Sequence, residues 1–329
     1  MNAAKFLAAF LLSAFALCLT ATTAQAAGFR LVEVPADAGG PALSGAMWYP
    51  CSEPPGNIDL GPITLRGTKD CPILGDKVPL VVVSHGNLGA FYDHHDTAET
   101  LADAGFVVAA ISHPGDTIPQ GFDPSVMAAA MTRRPDDIKR LINFMTRSSP
   151  AASNTDSQRV GFFGFSAGGY TGLVLIGADP NPSRYSLLGK SAQAQIAEAK
   201  QHKSPRLFMP ELRVKAAVIA DPLGIYFTPD SFAAVKVQVQ LWASETGGSA
   251  LPHIVVTPED VAAVNKNLAE KHEYHVVANA GHFAFLLCGP SIKEVPEFCK
   301  DEPGFDRVTF HKQFNADVLL FFRMQFGSR

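Results

Sequence analysis

The sequence has little charge and no strong excess of either sign. Only 18% of its 329 residues are charged, and 27 basic against 31 acidic residues give a formal net charge of −4. It has no basic block, so nucleic acid and anionic membranes are not expected as partners. It lacks G-x-G-x-x-G and G-x-x-x-x-G-K-[ST] patterns, so we expect no nucleotide cofactor. It also lacks C-x-x-C spacing, and the adjacent His94 and His95 would point in different directions on a helix, so no metal site is expected.

Long apolar runs are scarce, and the one that stands out lies at the N-terminus. Residues 6–19 form a 14-residue run that follows Lys5 and precedes Ala24-Gln25-Ala26. A bilayer span needs about 20 residues, whereas a positive residue, a short apolar segment and a small-residue motif are typical of a secretory signal. We therefore expect residues 1–26 to be a signal peptide and the mature protein, residues 27–329, to be periplasmic or secreted, with no membrane span.

Cysteine is rare, and its positions predict disulfides. Beyond Cys18 in the expected signal peptide, the chain has Cys51, Cys71, Cys288 and Cys299. An even number of cysteines in an exported chain indicates disulfide bonds, with three possible pairings. We favour Cys51–Cys71 and Cys288–Cys299, because each pair brackets a loop rich in proline and glycine.

What the chain does contain is an alternation of strand and helix patterns. Buried strands are predicted at 28–34, 43–49, 78–84, 106–111, 159–164, 214–220, 237–242 and 273–278, and helices at 93–104, 135–147, 258–272 and 308–326. This order predicts an α/β fold with a mostly parallel central sheet and helices on both faces, in a single domain.

Three details of this fold are also predicted. Pro135 is assigned to the first turn of its helix. Residues 51–76 are assigned to a surface loop, and the polar segment from about 179 to 213 to a small cap insertion over the site. The sequence carries no signal for an oligomeric state.

The stretch with the clearest chemistry is Gly164-Phe165-Ser166-Ala167-Gly168, which fits G-x-S-x-G. It follows an apolar strand and precedes a run compatible with a helix, the context of a sharp turn that carries a nucleophilic serine. The small residues at 164 and 168 suit so tight a turn. Ser166 is therefore the predicted nucleophile.

A serine nucleophile needs a base, an acid that orients the base, and donors for the oxyanion. His282 follows the last predicted strand and is the expected base, whereas His311 falls within the terminal helix. Asp221 follows the strand after the nucleophile strand and is the favoured acid. Glu245 follows the next strand and stays open as the alternative acid.

Two main-chain amides are expected to form the oxyanion hole. One belongs to Ala167, directly after the serine, and the other to Asn87, in His85-Gly86-Asn87 after the strand at 78–84. The glycine before Asn87 would let the backbone approach the reacting carbonyl closely.

With these residues in place, the chain resembles the α/β-hydrolases, and among them the bacterial predicted dienelactone hydrolases that are similar to platelet-activating-factor acetylhydrolases. The resemblance is carried by Met47-Trp48-Tyr49-Pro50, Ser84-His85-Gly86, His113-Pro114-Gly115, Arg134-Pro135-Asp136-Asp137, the G-x-S-x-G stretch and Gly281-His282-Phe283. In the acetylhydrolases the acid follows the strand after the nucleophile strand, which the resemblance maps onto Asp221. Dienelactone hydrolases use a cysteine nucleophile, whereas this chain has Ser166.

These observations predict an exported serine hydrolase that cleaves small carboxylic esters without a cofactor. The alternatives are a peptidase or amidase that uses the same machinery, and a non-catalytic binding protein on a hydrolase scaffold.

Overall fold

The computed structural model describes residues 26–117, 124–181, 183–185, 208–251, 254–268, 272–288 and 297–327, together with positions 194 and 197. The expected signal peptide up to residue 25 and much of the expected cap insertion lie outside the described residues. Within the described part of the chain, no helix combines the length and apolar character needed to cross a membrane.

The strands follow the predicted order closely. They are β1 (Ala26–Val34), β2 (Leu43–Cys51), β3 (Gly56–Asp59), β4 (Thr64–Lys69), β5 (Val78–Ser84), β6 (Val107–Ile111), β7 (Thr155–Phe165), β8 (Val214–Ala220), β9 (Gln238–Ser244), β10 (Gly248–Leu251), β11 (Ile254–Val256) and β12 (His272–Val277). The prediction of a plain loop at 51–76 is wrong in part, because β3 and β4 form an antiparallel pair within it. Leu65 and Ile58 give this pair a buried apolar contact, which the loop-forming composition concealed.

The helices are α1 (His95–Asp103), α2 (Pro124–Arg147), α3 (Ala167–Leu175), α4 (Pro258–Asn267) and α5 (Arg307–Phe326). The assignment of Pro135 to a first turn is wrong, since α2 begins at Pro124 and Pro135 lies in its interior. An interior proline costs about 3 kcal/mol. Burial of Met131, Ile138 and Leu141 on either side of it offsets that cost, at about 2 kcal/mol for each side chain.

Ten strands form one sheet in the order β12-β9-β8-β7-β5-β6-β2-β1-β4-β3. The strands from β12 to β6 are parallel, whereas β2 is antiparallel to both β6 and β1. The parallel part puts the carboxyl ends of β5, β7, β8, β9 and β12 along the same edge. Ligands of open α/β sheets bind outside the carboxyl ends of the strands.

Apolar side chains cover both faces of the sheet, as predicted. On one face α2 and α3 pack through residues such as Leu141 and Leu173. On the other, α1 and α5 pack through residues such as Leu101 and Phe314. The predicted arrangement of a mostly parallel sheet between two layers of helices is confirmed.

Both predicted disulfides are present. Cys51 is bonded to Cys71 across 20 positions of sequence, and Cys288 to Cys299 across 11. The first joins the end of β2 to the segment after β4, and the second joins Cys288 to Cys299, both of which precede α5 in the sequence. Each bond restricts the unfolded chain and so contributes about 3 kcal/mol of stability.

Candidate active site

Ser166 lies at the sharp turn between β7 and α3. Its backbone has φ 56° and ψ −115°, a conformation that a residue with a side chain adopts only when its surroundings hold it there. A Cβ at Gly164 would lie 2.3 Å from the carbonyl oxygen of Gly168, and one at Gly168 would lie 1.9 Å from that of Ser84. Both glycines are therefore required for the turn to pack against β5.

The structure brings Ser166, Asp221 and His282 together. His282 Nε2 is 2.9 Å from Ser166 Oγ, and His282 Nδ1 is 2.6 Å from Asp221 Oδ2. The three residues come from the ends of β7, β8 and β12, and they are exposed by only 2%, 0% and 1%. An acceptor carboxylate at Nδ1 fixes the imidazole tautomer with its free Nε2 towards the serine hydroxyl.

The carboxylate of Asp221 is held from the next strand. Ser244, the last residue of β9, donates its backbone N–H to Asp221 Oδ1 and its hydroxyl to Oδ2, both at 2.8 Å. Glu245, the alternative acid, is exposed and accepts the backbone N–H of Asn279 at 2.6 Å. The geometry thus connects Asp221, and not Glu245, to the imidazole of His282.

The imidazole of His282 is fixed from several sides. Its backbone N–H donates to Gly247 O at 2.7 Å, and its ring stacks on Phe165, with ring centres 4.7 Å apart. A cavity of about 450 Å³ lies beside it, with Phe298 and Arg307 among its lining residues. His311, in α5, instead contacts Asp96 at 2.7 Å.

The loop after β5 lies directly against the turn that carries the serine. A Cβ at Gly86 would be 3.1 Å from the ring of Phe165 and 3.6 Å from Ser166 Cβ. The next amide along the chain is that of Asn87. Ala167 is the first residue of α3, where backbone N–H groups have no partner within the helix. Both predicted oxyanion donors therefore belong to segments that adjoin Ser166.

A buried polar network that the sequence did not predict lies behind this loop. His113 Nε2 is 3.0 Å from Ser84 Oγ, and its Nδ1 is 3.1 Å from Asp137 Oδ2. Arg134, fully buried on α2, pairs with Asp116 at 2.6 Å. The motifs His113-Pro114-Gly115 and Arg134-Pro135-Asp136-Asp137 were the available signal, but a sequence motif does not state what its residues contact.

Burial controls the protonation of this network. It lowers the pKa of His85 and of His113 well below the ordinary value, and the charge of Arg134 lowers both further. Burial also raises the pKa of Asp137 to about 6, although Arg133, Arg140 and Arg134 oppose that change. The two imidazoles are therefore neutral at physiological pH and act as paired donors and acceptors.

The parallel sheet, the serine turn after β7, the carboxylate after β8 and the histidine after β12 define an α/β-hydrolase fold. The sequence profile of the dienelactone hydrolase family matches residues 66–210, a segment that contains Ser166 and the loop after β5 but ends before Asp221 and His282. The chain has the α/β-hydrolase fold and, over this segment, is similar to the dienelactone hydrolase family.

A solved structure supports the same fold. The ferulic acid esterase from Streptomyces cinnamoneus is similar over 92% of this chain and 91% of its own, with a TM-score of 0.61 and 17% sequence identity. A comparison with curated protein sequences finds no match. The findings together support a hydrolase of carboxylic esters.

Proposed function

We propose that this protein is an exported serine esterase that works through an acyl-enzyme intermediate, with Ser166 as nucleophile, His282 as base and Asp221 as the orienting acid. The observation that carries the proposal is the continuous chain of hydrogen bonds at 2.9 Å and 2.6 Å that joins these three side chains at the edge of the parallel sheet. A neutral serine hydroxyl is a weak nucleophile until an adjacent base accepts its proton.

In the acylation step, Ser166 Oγ attacks the ester carbonyl while its proton passes to His282 Nε2. The carbonyl oxygen becomes an oxyanion, which the backbone N–H groups of Ala167 and Asn87 stabilise. Collapse of the tetrahedral intermediate breaks the bond to the alcohol, and His282 returns its proton to the departing oxygen. The hydrogen bond to Asp221 favours the charged imidazolium while the proton resides there.

In the deacylation step, water takes the place of the alcohol. His282 accepts a proton from the water, the hydroxide oxygen attacks the acyl carbonyl, and the same two amides hold the second oxyanion. Breakage of the acyl bond to Ser166 Oγ releases the carboxylic acid, and His282 returns its proton to Oγ, which regenerates the hydroxyl group. These steps need neither a metal nor an organic cofactor.

The substrate class that we propose is a small carboxylic ester. Ser166 is only 2% exposed, and an enclosed serine favours a small molecule over a segment of a folded polypeptide. The match to the dienelactone hydrolase family and the structural similarity to a ferulic acid esterase both favour an ester over an amide.

Export is part of the proposal. It rests on the signal-like order of residues 1–26 and on the disulfides Cys51–Cys71 and Cys288–Cys299. Disulfides persist in oxidising compartments and are rare in the cytosol of mesophiles. The periplasm or the external medium is therefore the proposed location, and the N-terminal residue of the protein purified from its native host would test it.

The nucleophile is tested by Ser166→Ala, with Ser153→Ala as the matched control on an exposed serine. We expect Ser166→Ala to lower kcat for a short-chain 4-nitrophenyl ester by about 10⁴-fold or more and to abolish labelling by a fluorophosphonate, with Ser153→Ala unchanged in both. Retention of more than about 1% of wild-type turnover by a folded Ser166→Ala protein would contradict the assignment.

The competing activities give different results in the same experiment. A peptidase or amidase would also turn over a matched anilide and a peptide amide, whereas an esterase would cleave the ester and leave both amides intact. A binding protein on this scaffold would show neither turnover nor covalent labelling.

A further inference from the structure

We propose that Arg134, together with Asp116, is a positioning residue that orients the Asn87 amide for the oxyanion. The inference rests on the proposed function, since it concerns the oxyanion hole of that site. It gives a role to the motif Arg134-Pro135-Asp136-Asp137, and to the aspartate that directly follows the motif His113-Pro114-Gly115, neither of which the sequence alone explains.

The contacts of Arg134 are directed at the loop and not at the substrate. Its Nη1 donates to the carbonyl oxygen of His85 at 2.8 Å, and its Nη2 donates to that of Gly86 at 2.9 Å. Its Nε donates to Asp116 Oδ2 at 2.8 Å. Arg134 is 0% exposed and Asp116 is 1% exposed, so solvent does not compete for these bonds.

Asp116 holds the other side of the same loop. Its Oδ1 accepts the backbone N–H of Leu88 at 2.7 Å and the side-chain Nδ2 of Asn87 at 2.5 Å. Leu88 has φ 56°, a left-handed conformation that is unfavourable for a branched side chain. The bond to Asp116 stabilises that conformation, and with it the path of the chain on both sides of Asn87.

Peptide geometry links the carbonyl of Gly86 to the amide of Asn87. The two groups belong to one peptide unit, which is planar and trans, so its C=O and N–H point in opposite directions. Arg134 and the Nδ1 of His85, at 2.6 Å, both bind the Gly86 oxygen. By fixing that oxygen towards α2 they direct the Asn87 N–H the other way, towards the turn that carries Ser166.

The protonation of His85 agrees with this arrangement. Its Nε2 accepts the backbone N–H of His113 at 3.0 Å, so the proton of the neutral imidazole is on Nδ1 and is donated to Gly86. The positive charge of Arg134 also polarises the peptide unit whose oxygen it binds, which makes the Asn87 N–H a stronger donor. Arg134 thus acts on both the direction and the strength of one oxyanion donor.

The test compares Arg134→Lys with Arg140→Lys. A lysine keeps the charge, but its single nitrogen cannot bind two carbonyls and a carboxylate in a planar fork. Arg140 is a control on the same helix, because it also pairs with a carboxylate, Asp37 at 2.9 Å, and donates to loop carbonyls, those of Pro35 and Pro41, away from the serine. Turnover and affinity are measured on the folded, full-length mature enzyme.

For Arg134→Lys we expect kcat for a short-chain 4-nitrophenyl ester to fall about 10- to 100-fold, less than the loss of an entire donor, while KM stays within about threefold. The affinity for phenylboronic acid, whose tetrahedral adduct places an oxygen in the oxyanion hole, should fall by the same factor. The pH midpoint of kcat/KM should not move, because the triad is untouched. Arg140→Lys should lower the melting temperature to a similar extent and leave kcat and boronate affinity within about twofold.

Asp116→Asn carries the test if Arg134→Lys fails to fold, with kcat and boronate affinity again falling together. Folded variants whose kcat and boronate affinity stay within about twofold of wild type would overturn the positioning role. The same assay includes wild type and Ser166→Ala. If these two differ as proposed but the Arg134 and Asp116 variants do not, only the positioning role fails, whereas equal activity of the two would remove the proposed function and the positioning role with it.

Discussion

The identity of the triad acid gives the sharpest prediction, through Asp221→Asn. Asp221 Oδ2 accepts the hydroxyl of Ser244 at 2.8 Å and Nδ1–H of His282 at 2.6 Å, while Oδ1 accepts the backbone N–H of Ser244 at 2.8 Å. An asparagine amide nitrogen at the Oδ1 position would face a backbone donor that cannot reorient. It will therefore occupy the Oδ2 position, where the serine hydroxyl can rotate to accept one of its protons.

The second amide proton must then be accepted by His282 Nδ1. That forces the imidazole into the tautomer with its proton on Nε2, which presents a donor to Ser166 and cannot take the serine proton. The known cost of the wrong tautomer in a triad is about 10⁴-fold in kcat, or about 5 kcal/mol at roughly 1.4 kcal/mol for each factor of ten. Because asparagine has the same size and keeps the bonds to Ser244, the melting temperature should change little.

The assay is kcat for a short-chain 4-nitrophenyl ester at neutral pH, with Glu245→Gln as the matched control. Glu245 is exposed and accepts only the Asn279 N–H among its described bonds, which a glutamine oxygen can replace, so its turnover should stay within about threefold. The reasoning is refuted if Asp221→Asn keeps more than about a tenth of wild-type turnover, and a loss of about 100-fold or more in Glu245→Gln would assign the role to Glu245.

Two further predictions concern stability. Gly168→Ala would put a Cβ 1.9 Å from Ser84 O and should lower the free energy of unfolding by about 4 kcal/mol or more. Gly56→Ala is the control, because its Cβ would have nothing within 4 Å, and it should lower the free energy of unfolding in urea by less than about 1 kcal/mol. Burial raises the pKa of Asp96, but the charge and hydrogen bond of His311 outweigh it and hold that pKa well below its usual range. The stability that Asp96 contributes is therefore present above about pH 4 and is lost as the pH falls further. Asp96→Asn should flatten the dependence of the free energy of unfolding on pH, measured in urea from about pH 6 to pH 3. An unchanged pH dependence would contradict this prediction.

The order of strands and helices was predictable because burial on both faces leaves a plain signal. A central parallel strand such as β5 is a continuous apolar run, and α5 shows its inner stripe of phenylalanines in the sequence. The length of α2 was not predictable in the same way. The preference of proline for the first turn of a helix suggested that the helix starts at Pro135. Met131, four residues earlier, is buried by tertiary packing, which the local sequence does not show. The pair β3 and β4 was hidden for the same reason.

The catalytic candidates were predictable because the fold imposes an order on them. Once Gly164 and Gly168 identify the turn of Ser166, the histidine has to follow the last strand. The choice between Asp221 and Glu245 was open, since both follow strands and the sequence cannot say which carboxylate turns towards the imidazole. In the structure, two hydrogen bonds from Ser244 hold the carboxylate of Asp221 beside the imidazole of His282.

A second series of hydrogen bonds also joins a serine, a histidine and an aspartate, namely Ser84, His113 and Asp137. The surroundings of these three residues explain why the same residue types serve a different purpose there. Ser84 lies in a regular strand and is fully buried, and His113 has its pKa lowered well below the ordinary value by burial and by the charge of Arg134. Burial and the charge of Arg134 disfavour the protonated imidazole, so His113 is a poor acceptor for a serine proton. The hydrogen bonds of this second set hold the end of β5, whereas Ser166 lies on a strained turn at the start of α3, the setting that the proposed oxyanion hole requires. The chemistry of the site therefore follows from backbone geometry and local charge, and not from the three residue types alone.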